Sequence, residues 1–144
     1  MTLQIYPFSA SESKIDGLRI INVKMVTDDR GTVRELYRES SHSEVLPETL
    51  SSWKQINLTR TKRGAVRGLH GEAMAKLVTV ATGSVFGVYV DTRPGMSGTA
   101  LTPLDNELGI EWPIPIEKDN REQLSEKDAK APTLRELKEI LKCE

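Results

Sequence analysis

Short runs of alternating apolar and polar residues dominate the chain and predict strands rather than long helices. Residues 18–26 are rich in β-branched side chains, and alternation resumes over residues 32–37. The turn sequence Asp28-Asp29-Arg30-Gly31 separates these two runs, so a hairpin or a bulged strand is predicted there. Residues 40–49 are mostly polar, and their period is too weak to distinguish a short helix from a loop.

A second group of strands is predicted in the middle of the chain. Residues 53–61 alternate, and Gln55 and Asn57 fall on a polar face opposite a more apolar one, which is typical of a strand lining a wet cavity. The β-branched runs 76–80 and 84–90, separated by a turn sequence with a glycine, predict a further hairpin.

The last third of the chain does not show the alternating pattern of the first two thirds. After Asp91, proline and glycine residues interrupt any long element, until a short amphipathic run begins at Pro132 with Thr133 in position for an N-cap. Many short strands joined by turns and followed by one small helix predict an all-β fold of the sandwich or barrel type with a short C-terminal helix.

Length and charge narrow the class of protein. A chain of 144 residues predicts one domain over residues 1–144, and a net charge of −1 provides no long-range field for nucleic acid. No apolar stretch approaches the roughly 20 residues of a membrane span, and residues 1–10 lack the features of a signal peptide. The lone Cys143 cannot form an internal disulfide, so we expect a cytoplasmic protein. From the charge and the lack of an apolar span, we expect it to bind neither nucleic acid nor membrane.

His70 is the strongest candidate for chemistry. The chain has only two histidines, and its single cysteine lies next to the C-terminus, so it has few ligands for a metal centre. A positioned histidine can instead act as a general base. Arg67, Glu72 and Lys76 concentrate charge around it, and the cationic pair Arg67 and Lys76 can hold an anionic substrate and stabilise an enolate. From these residues alone, a structural histidine with ordinary surface ion pairs remains the alternative.

A series of short motifs follows in order along the chain. They are Asp29-Arg30-Gly31 with Glu35, Gln55-x-Asn57, Gly64-x-Val66-Arg67-Gly68-Leu69-His70, Lys76-Leu77-Val78, Gly83-Ser84-Val85-Phe86, Val90-Asp91-x-Arg93, Asp105-x-x-Leu108-Gly109-Ile110-Glu111-Trp112-Pro113, Leu124-Ser125-x-Lys127-Asp128 and Ala131-Pro132. Taken together, these motifs resemble the dTDP-4-dehydrorhamnose 3,5-epimerase family. The resemblance implies a cupin-type β jelly roll, a homodimer, a dTDP-linked nucleotide-sugar substrate, and neither a metal nor another cofactor.

The same resemblance implies a role for each matching residue. His70 would be the base, with Asp105 as the carboxylate that orients its ring and stabilises the imidazolium. Lys76 would stabilise the enolate and Arg67 would help to hold the substrate. The residues implied to line the sugar and nucleotide pocket, partly from the neighbouring subunit, are Asp29, Arg30, Glu35, Gln55 and Asn57.

The chain departs from the family pattern in three places. Val33 stands where the family usually has an aromatic residue, and Gly71-Glu72 replaces an aromatic residue and glutamine. After about Arg93 the family continues with further strands and the tyrosine that acts as general acid, but here the C-terminal motifs follow almost at once. Either this sequence lacks an internal segment that the protein has, or the protein has a natural deletion. We expect the first, because a jelly roll without several central strands would expose sheet edges and core. None of the tyrosines Tyr6, Tyr37 and Tyr89 falls at the position of the general acid.

The predicted function is epimerisation of a nucleotide-linked 4-keto-6-deoxyhexose at C3, C5 or both, in deoxysugar biosynthesis. Proton abstraction next to the keto group would be the chemical step. Two alternatives remain open: a non-catalytic paralogue that binds the sugar nucleotide, and a ketoisomerase acting on the same substrate.

Overall fold

The computed structural model describes residues 3–46, 52–93 and 99–142. By its internal contacts the chain divides into two compact units. The first contains residues 1–56 with 75–79, and the second contains residues 57–74 with 80–144. Predictions made for residues 47–49 and for Cys143 lie outside the described residues, and the single-domain assignment stays a prediction.

The first unit contains two small antiparallel sheets. One has the strand order β1-β4-β5 and the other pairs β2 with β3. The pairing places Ile5 opposite Val26 and Val26 opposite Val33, so these three side chains share one face. The strands are β1 (Gln4–Tyr6), β2 (Ser9–Glu12), β3 (Arg19–Asn22), β4 (Met25–Asp28) and β5 (Gly31–Arg34).

The hairpin predicted around the first turn sequence is confirmed as β4 and β5. Asp28 pairs with Gly31, which leaves Asp29 and Arg30 as a two-residue loop. The Asp28 carboxylate accepts a hydrogen bond from the Arg30 backbone N–H at 2.9 Å and ion-pairs with its guanidinium at 2.6 Å. Gly31 has φ 138°, a value that L side chains rarely adopt, so glycine suits this position.

Four short helical segments follow the strands within the described residues. They are α1 (Glu39–His42), a 3-10 helix (Asn106–Leu108), α2 (Glu126–Ala129) and α3 (Leu134–Lys142). The predicted terminal helix is confirmed as α3, and Thr133 exchanges reciprocal hydrogen bonds with Glu136 as in a capping box. No helix in the described part is long and apolar enough to cross a membrane.

The second unit is organised around a small apolar core. Leu101 and Leu137 are buried together, with Leu69 and Leu134 among the side chains packed against them. Leu124 is fully buried, at 0% exposure. The core therefore packs α3 against the two chain segments that contain Leu69 and Leu101.

Three strand predictions were wrong for the described residues. Residues 53–61, 76–80 and 84–90 contain no strand residue. A β-prone sequence becomes a strand only when a neighbouring chain accepts and donates its ladder hydrogen bonds, and within the described ranges none does so here. Small antiparallel sheets with few helices agree with an all-β class.

Candidate active site

His70 is held by backbone pairing with the segment around Leu101. Leu69 and Leu101 exchange two backbone hydrogen bonds of 3.0 Å each, and His70 forms an isolated antiparallel bridge with Ala100. This pairing fixes the backbone at His70. The imidazole remains accessible, because 45% of its side-chain surface is exposed.

The His70 ring meets a buried carboxylate. Its Nε2 atom lies 2.7 Å from Oδ1 of Asp128, whose side chain is only 8% exposed. An accessible imidazole against a nearly buried aspartate is an arrangement in which the carboxylate orients the ring and stabilises a positive charge on it. The pair can therefore accept a proton from a bound molecule.

Asp128 is held as an anion by several donors. Burial raises the pKa of Asp128, but hydrogen bonds from His70, Ser125 and the Gly68 backbone outweigh that effect. The pKa of Asp128 consequently lies below its ordinary value. The carboxylate is therefore charged at neutral pH and is available as an acceptor for the imidazole N–H.

A second backbone contact brings Asp128 to the histidine. Val66 and Leu124 form a parallel bridge, and the Val66 N–H donates to the Gln123 carbonyl at 2.8 Å. Leu124 is fully buried immediately before Ser125, which N-caps α2 by accepting from the Asp128 N–H at 3.0 Å. The buried leucine and the cap thus place Asp128 on the first turn of α2.

Asp105, the residue expected to orient His70, is engaged elsewhere. Its Oδ1 accepts from the Glu107 N–H at 2.9 Å and its Oδ2 accepts from the Leu134 N–H at 2.7 Å. The residue is 7% exposed, and it caps both the 3-10 helix and the start of α3. The contact to His70 that the family resemblance assigned to Asp105 is made by Asp128.

Arg67 and Asn57 lie in the same unit as His70. Arg67 precedes His70 by three positions, is exposed, and donates from Nε to the Thr61 hydroxyl at 3.1 Å. Asn57 is also exposed. Their assignment to substrate binding stays a prediction.

The other five predicted site residues belong to the first unit. Lys76, Gln55 and Asp29 are exposed there. Arg30 is bound to Asp28 in the β4–β5 turn. Glu35 accepts from Arg38 Nε at 2.7 Å, and this interaction lowers the pKa of the Glu35 carboxyl. Their roles at a substrate site likewise stay predictions.

His42, the second histidine, is a core residue of the first unit. It is 1% exposed and packs between the rings of Phe8 and Tyr37, whose centroids lie 5.0 and 4.9 Å away. Its Nδ1 atom contacts the Arg38 backbone, whereas its buried Nε2 has no hydrogen-bond partner in the described structure. This environment suits a packing role rather than proton transfer with a substrate.

The described residues contain no candidate metal centre. Among residues 3–46, 52–93 and 99–142, no group of three or more His, Cys, Asp and Glu side chains is arranged to hold a metal ion.

Sequence reasoning missed Asp128 as the partner of His70, although the motif Leu124-Ser125-x-Lys127-Asp128 contains it. Two motifs offered an aspartate, and spacing alone could not select between them.

The family model described as dTDP-4-dehydrorhamnose 3,5-epimerase matches residues 12–100, more than half of the chain. This match defines the class of protein as an epimerase, which is a kind of isomerase. The chain belongs to the dTDP-4-dehydrorhamnose 3,5-epimerase family.

Relatives named as 3,5-epimerases, and one named as a 3-epimerase, share moderate sequence identity with the chain. The dTDP-4-dehydrorhamnose 3,5-epimerase of Streptomyces griseus is 29% identical over 175 residues, covering 85% of each chain. The enzyme of the same name from Escherichia coli K12 is 36% identical over 86 residues, covering 57% of this chain and 46% of its own length. A dTDP-4-dehydrorhamnose 3-epimerase of Streptomyces niveus is 35% identical over 85 residues, covering 56% of this chain and 41% of its own length.

The chain aligns with only part of the length of several relatives. The chain spans less than half the length of the Escherichia coli and Streptomyces niveus relatives. The alignment with the Streptomyces griseus enzyme is longer than the 144 residues of this chain. Positions of that relative inside the alignment therefore have no counterpart here, which fits the expected missing internal segment. No solved structure matches the chain significantly.

Proposed function

We propose that this protein epimerises a dTDP-linked 4-keto-6-deoxyhexose at C3, C5 or both, in deoxysugar biosynthesis. The observation that carries the proposal is the 2.7 Å contact between the accessible His70 imidazole and the buried Asp128 carboxylate. Proton abstraction next to a ketone needs a positioned base, and this pair supplies one. Family membership supplies the substrate class.

The direction of the contact identifies the basic atom. An ionised aspartate only accepts hydrogen bonds, so Asp128 accepts a hydrogen bond from the Nε2–H of a neutral His70. The basic lone pair of the ring is then on Nδ1. In the proposed step Nδ1 removes the proton from the carbon beside the ketone. The C–H electron pair moves to give an enolate, whose negative charge resides mainly on the former keto oxygen. Asp128 stabilises the imidazolium that forms.

Return of a proton to the opposite face completes epimerisation. We assign no residue of this chain to that step, because none of its tyrosines matches the family's general acid. Water or an unidentified group would deliver the proton. A protein lacking one acid favours exchange or inversion at a single centre, and a relative bearing the name 3-epimerase gives that outcome a precedent.

The remaining assignments belong to the same proposal. Lys76 supplies the cation for the enolate oxygen and Arg67 helps to hold the substrate. In this proposal the protein adopts a cupin-type jelly roll and acts as a homodimer in the cytoplasm. The pocket residues proposed for the sugar and nucleotide are Asp29, Arg30, Glu35, Gln55 and Asn57.

The direct test is solvent exchange. The protein is incubated with dTDP-4-keto-6-deoxyglucose in deuterated water, and the C3 and C5 proton signals are followed by NMR. We expect at least one signal to fade with the wild type and to persist with His70→Gln, which keeps a polar side chain but no imidazole. Exchange that continues unchanged in His70→Gln would remove His70 from the mechanism.

A second candidate function is a non-catalytic sugar-nucleotide binding protein. The longer alignment with the Streptomyces griseus enzyme favours it, because family positions are missing from this chain. Binding of the nucleotide sugar without deuterium incorporation at C3 or C5 would support this candidate. A ketoisomerase would instead move the carbonyl, which the carbon spectrum of the product reveals.

A further inference from the structure

The Arg67 side chain is held by one contact inside the second unit. Its Nε–H donates to the Thr61 hydroxyl at 3.1 Å. With the residues that the structure describes, Arg67 makes no other hydrogen bond or ion pair. An arginine has five N–H donors, of which one is on Nε and two are on each Nη atom. The Nη donors are therefore available to a ligand, while Thr61 fixes the rotation of the guanidinium.

A tight turn brings Thr61 beside Arg67. The Ala65 N–H donates to the Lys62 carbonyl at 3.2 Å, so a four-residue turn begins at Lys62. Gly64, its third residue, has φ 79°, the positive value that a type II turn requires there. The turn reverses the chain, and the side chains of Thr61 and Arg67 meet across it.

The backbone on both sides of Arg67 is fixed as well. The Val66 N–H donates to a backbone carbonyl at 2.8 Å, and Leu69 exchanges two backbone hydrogen bonds of 3.0 Å with Leu101. The candidate base His70 comes directly after Leu69. Core packing thus sets the position of the arginine backbone, and only the far end of its long side chain needs a further contact.

The charge of this segment indicates an anionic ligand. Lys62 ion-pairs with Glu122 at 3.8 Å, but both side chains are mostly exposed, so the pair is weak. Arginine binds phosphate oxygens with two parallel N–H donors, and the diphosphate is the part of a dTDP-linked sugar that suits it. Residues 60–67 contain no acidic side chain and four exposed cationic ones, in a chain of net charge −1: Arg60, Lys62, Arg63 and Arg67.

We infer that Thr61 is a positioning residue, which holds Arg67 by Nε so that both Nη groups bind the diphosphate of the sugar nucleotide end-on. This role rests on the proposed function, which supplies the substrate class and the assignment of Arg67 to substrate binding. Because Nε is occupied, a ligand cannot pair side-on with Nε and one Nη group. A long side chain loses rotamer freedom when it binds, and a contact formed beforehand reduces that cost.

The experiment uses variants of the full chain that separate the hydroxyl from the shape of the side chain. Thr61→Val removes the hydroxyl with little change in shape, and Thr61→Ser keeps a hydroxyl. Thr82→Val removes a hydroxyl at an exposed position of the same unit and is the matched control. Arg67→Gln, alone and combined with Thr61→Val, provides a double-mutant cycle.

The first readout is the exchange of the Arg67 Nε–H proton with water, measured by NMR on the free protein. The signal is assigned by its loss in Arg67→Gln. In Thr61→Val we expect this proton to exchange about three- to tenfold faster than in the wild type, because its hydrogen bond is lost. Thr61→Ser and Thr82→Val should match the wild type. Equal exchange in the wild type and Thr61→Val overturns the inference.

The second readout is the dissociation constant of dTDP, measured by isothermal titration calorimetry. We expect Thr61→Val to weaken binding about three- to tenfold, the effect of losing one ordinary hydrogen bond. Thr61→Ser should bind dTDP as the wild type does. Adding Thr61→Val to Arg67→Gln should cause no further loss, because Thr61 acts through Arg67. An equal loss in both backgrounds overturns the inference.

Kinetics distinguish this role from the proposed function. In Thr61→Val the KM for the nucleotide sugar should rise by the same factor with kcat nearly unchanged, because a binding interaction of the ground state is lost. A fall in kcat at unchanged KM overturns the inference. Binding of dTDP without deuterium exchange at the sugar contradicts the proposed reaction, and the two preceding readouts then decide the role of Thr61. Failure of the wild type to bind dTDP overturns the diphosphate contact.

Discussion

Asp128 Oδ1 lies 2.7 Å from His70 Nε2, although the two residues are 58 positions apart in the chain. The contact joins an accessible ring to a nearly buried carboxylate. It depends on two backbone pairings, one between Leu69 and Leu101 and one between Val66 and Leu124. The candidate base is therefore a product of the folded second unit.

A pair of aspartate variants tests which carboxylate serves the base. Asp128→Asn should slow deuterium exchange at the sugar by about 10²-fold or more, because the amide neither carries the charge nor reliably fixes the ring tautomer. Asp105→Asn should leave the exchange rate near that of the wild type, because Asp105 caps helical segments instead. The measurement is the NMR exchange rate per folded molecule. A larger loss in Asp105→Asn would return the partner role to Asp105.

Asp105 should prove important for stability. Asp105→Ala removes the acceptor for the Glu107 and Leu134 N–H groups at a site that is 7% exposed. We expect the free energy of unfolding to fall by about 1–3 kcal/mol, as determined by urea denaturation. Asp119→Ala, at an exposed position, is the matched control and should change little. Equal effects of the two substitutions would contradict the double-cap assignment.

The lowered pKa of Asp128 predicts an acid-dependent loss of stability. A carboxyl whose folded pKa lies below its unfolded value stabilises the folded state in full above the ordinary aspartate pKa of 3.8. That contribution disappears as the pH falls through the lower folded pKa. The unfolding free energy of the wild type should therefore decline below about pH 3.8 more steeply than that of Asp128→Asn. Coinciding slopes for the wild type and Asp128→Asn would refute the prediction.

His42 should behave as a packing residue. His42→Ala opens a cavity between Phe8 and Tyr37, so we expect a loss of about 2–4 kcal/mol in the free energy of unfolding. His42→Phe should cost less, because it refills the space and Nε2 has no hydrogen-bond partner in the part of the chain that the structure describes. Urea denaturation of both variants measures the difference. A greater loss for the phenylalanine variant would mean that the Nδ1 contacts outweigh packing.

Local sequence signals predicted the elements whose stabilising contacts are also local. The β4–β5 hairpin follows from its turn sequence, since Asp28 and Arg30 bond within the turn itself. Helix α3 follows from its amphipathic run and from the cap that Thr133 forms with Glu136. Both kinds of contact span four residues or fewer, so a sequence pattern contains them.

The strand predictions for residues 53–61, 76–80 and 84–90 failed for the opposite reason. β-Propensity describes a side chain that suits a pleated surface, but a strand also needs a neighbour to complete its hydrogen bonds. Nothing in the sequence of 84–90 says whether that neighbour is present. The apolar side chains Val85, Phe86 and Tyr89 consequently remain exposed in the described structure.

By itself the sequence determined the family, the choice of His70 as the candidate base and the local turns and caps. Each of these depends on residue identity at short spacing. Only the tertiary structure decided that Asp128 rather than Asp105 contacts the imidazole, and that His42 lies in a core. Burial and long-range contact decide such roles, and both arise only when distant segments pack together.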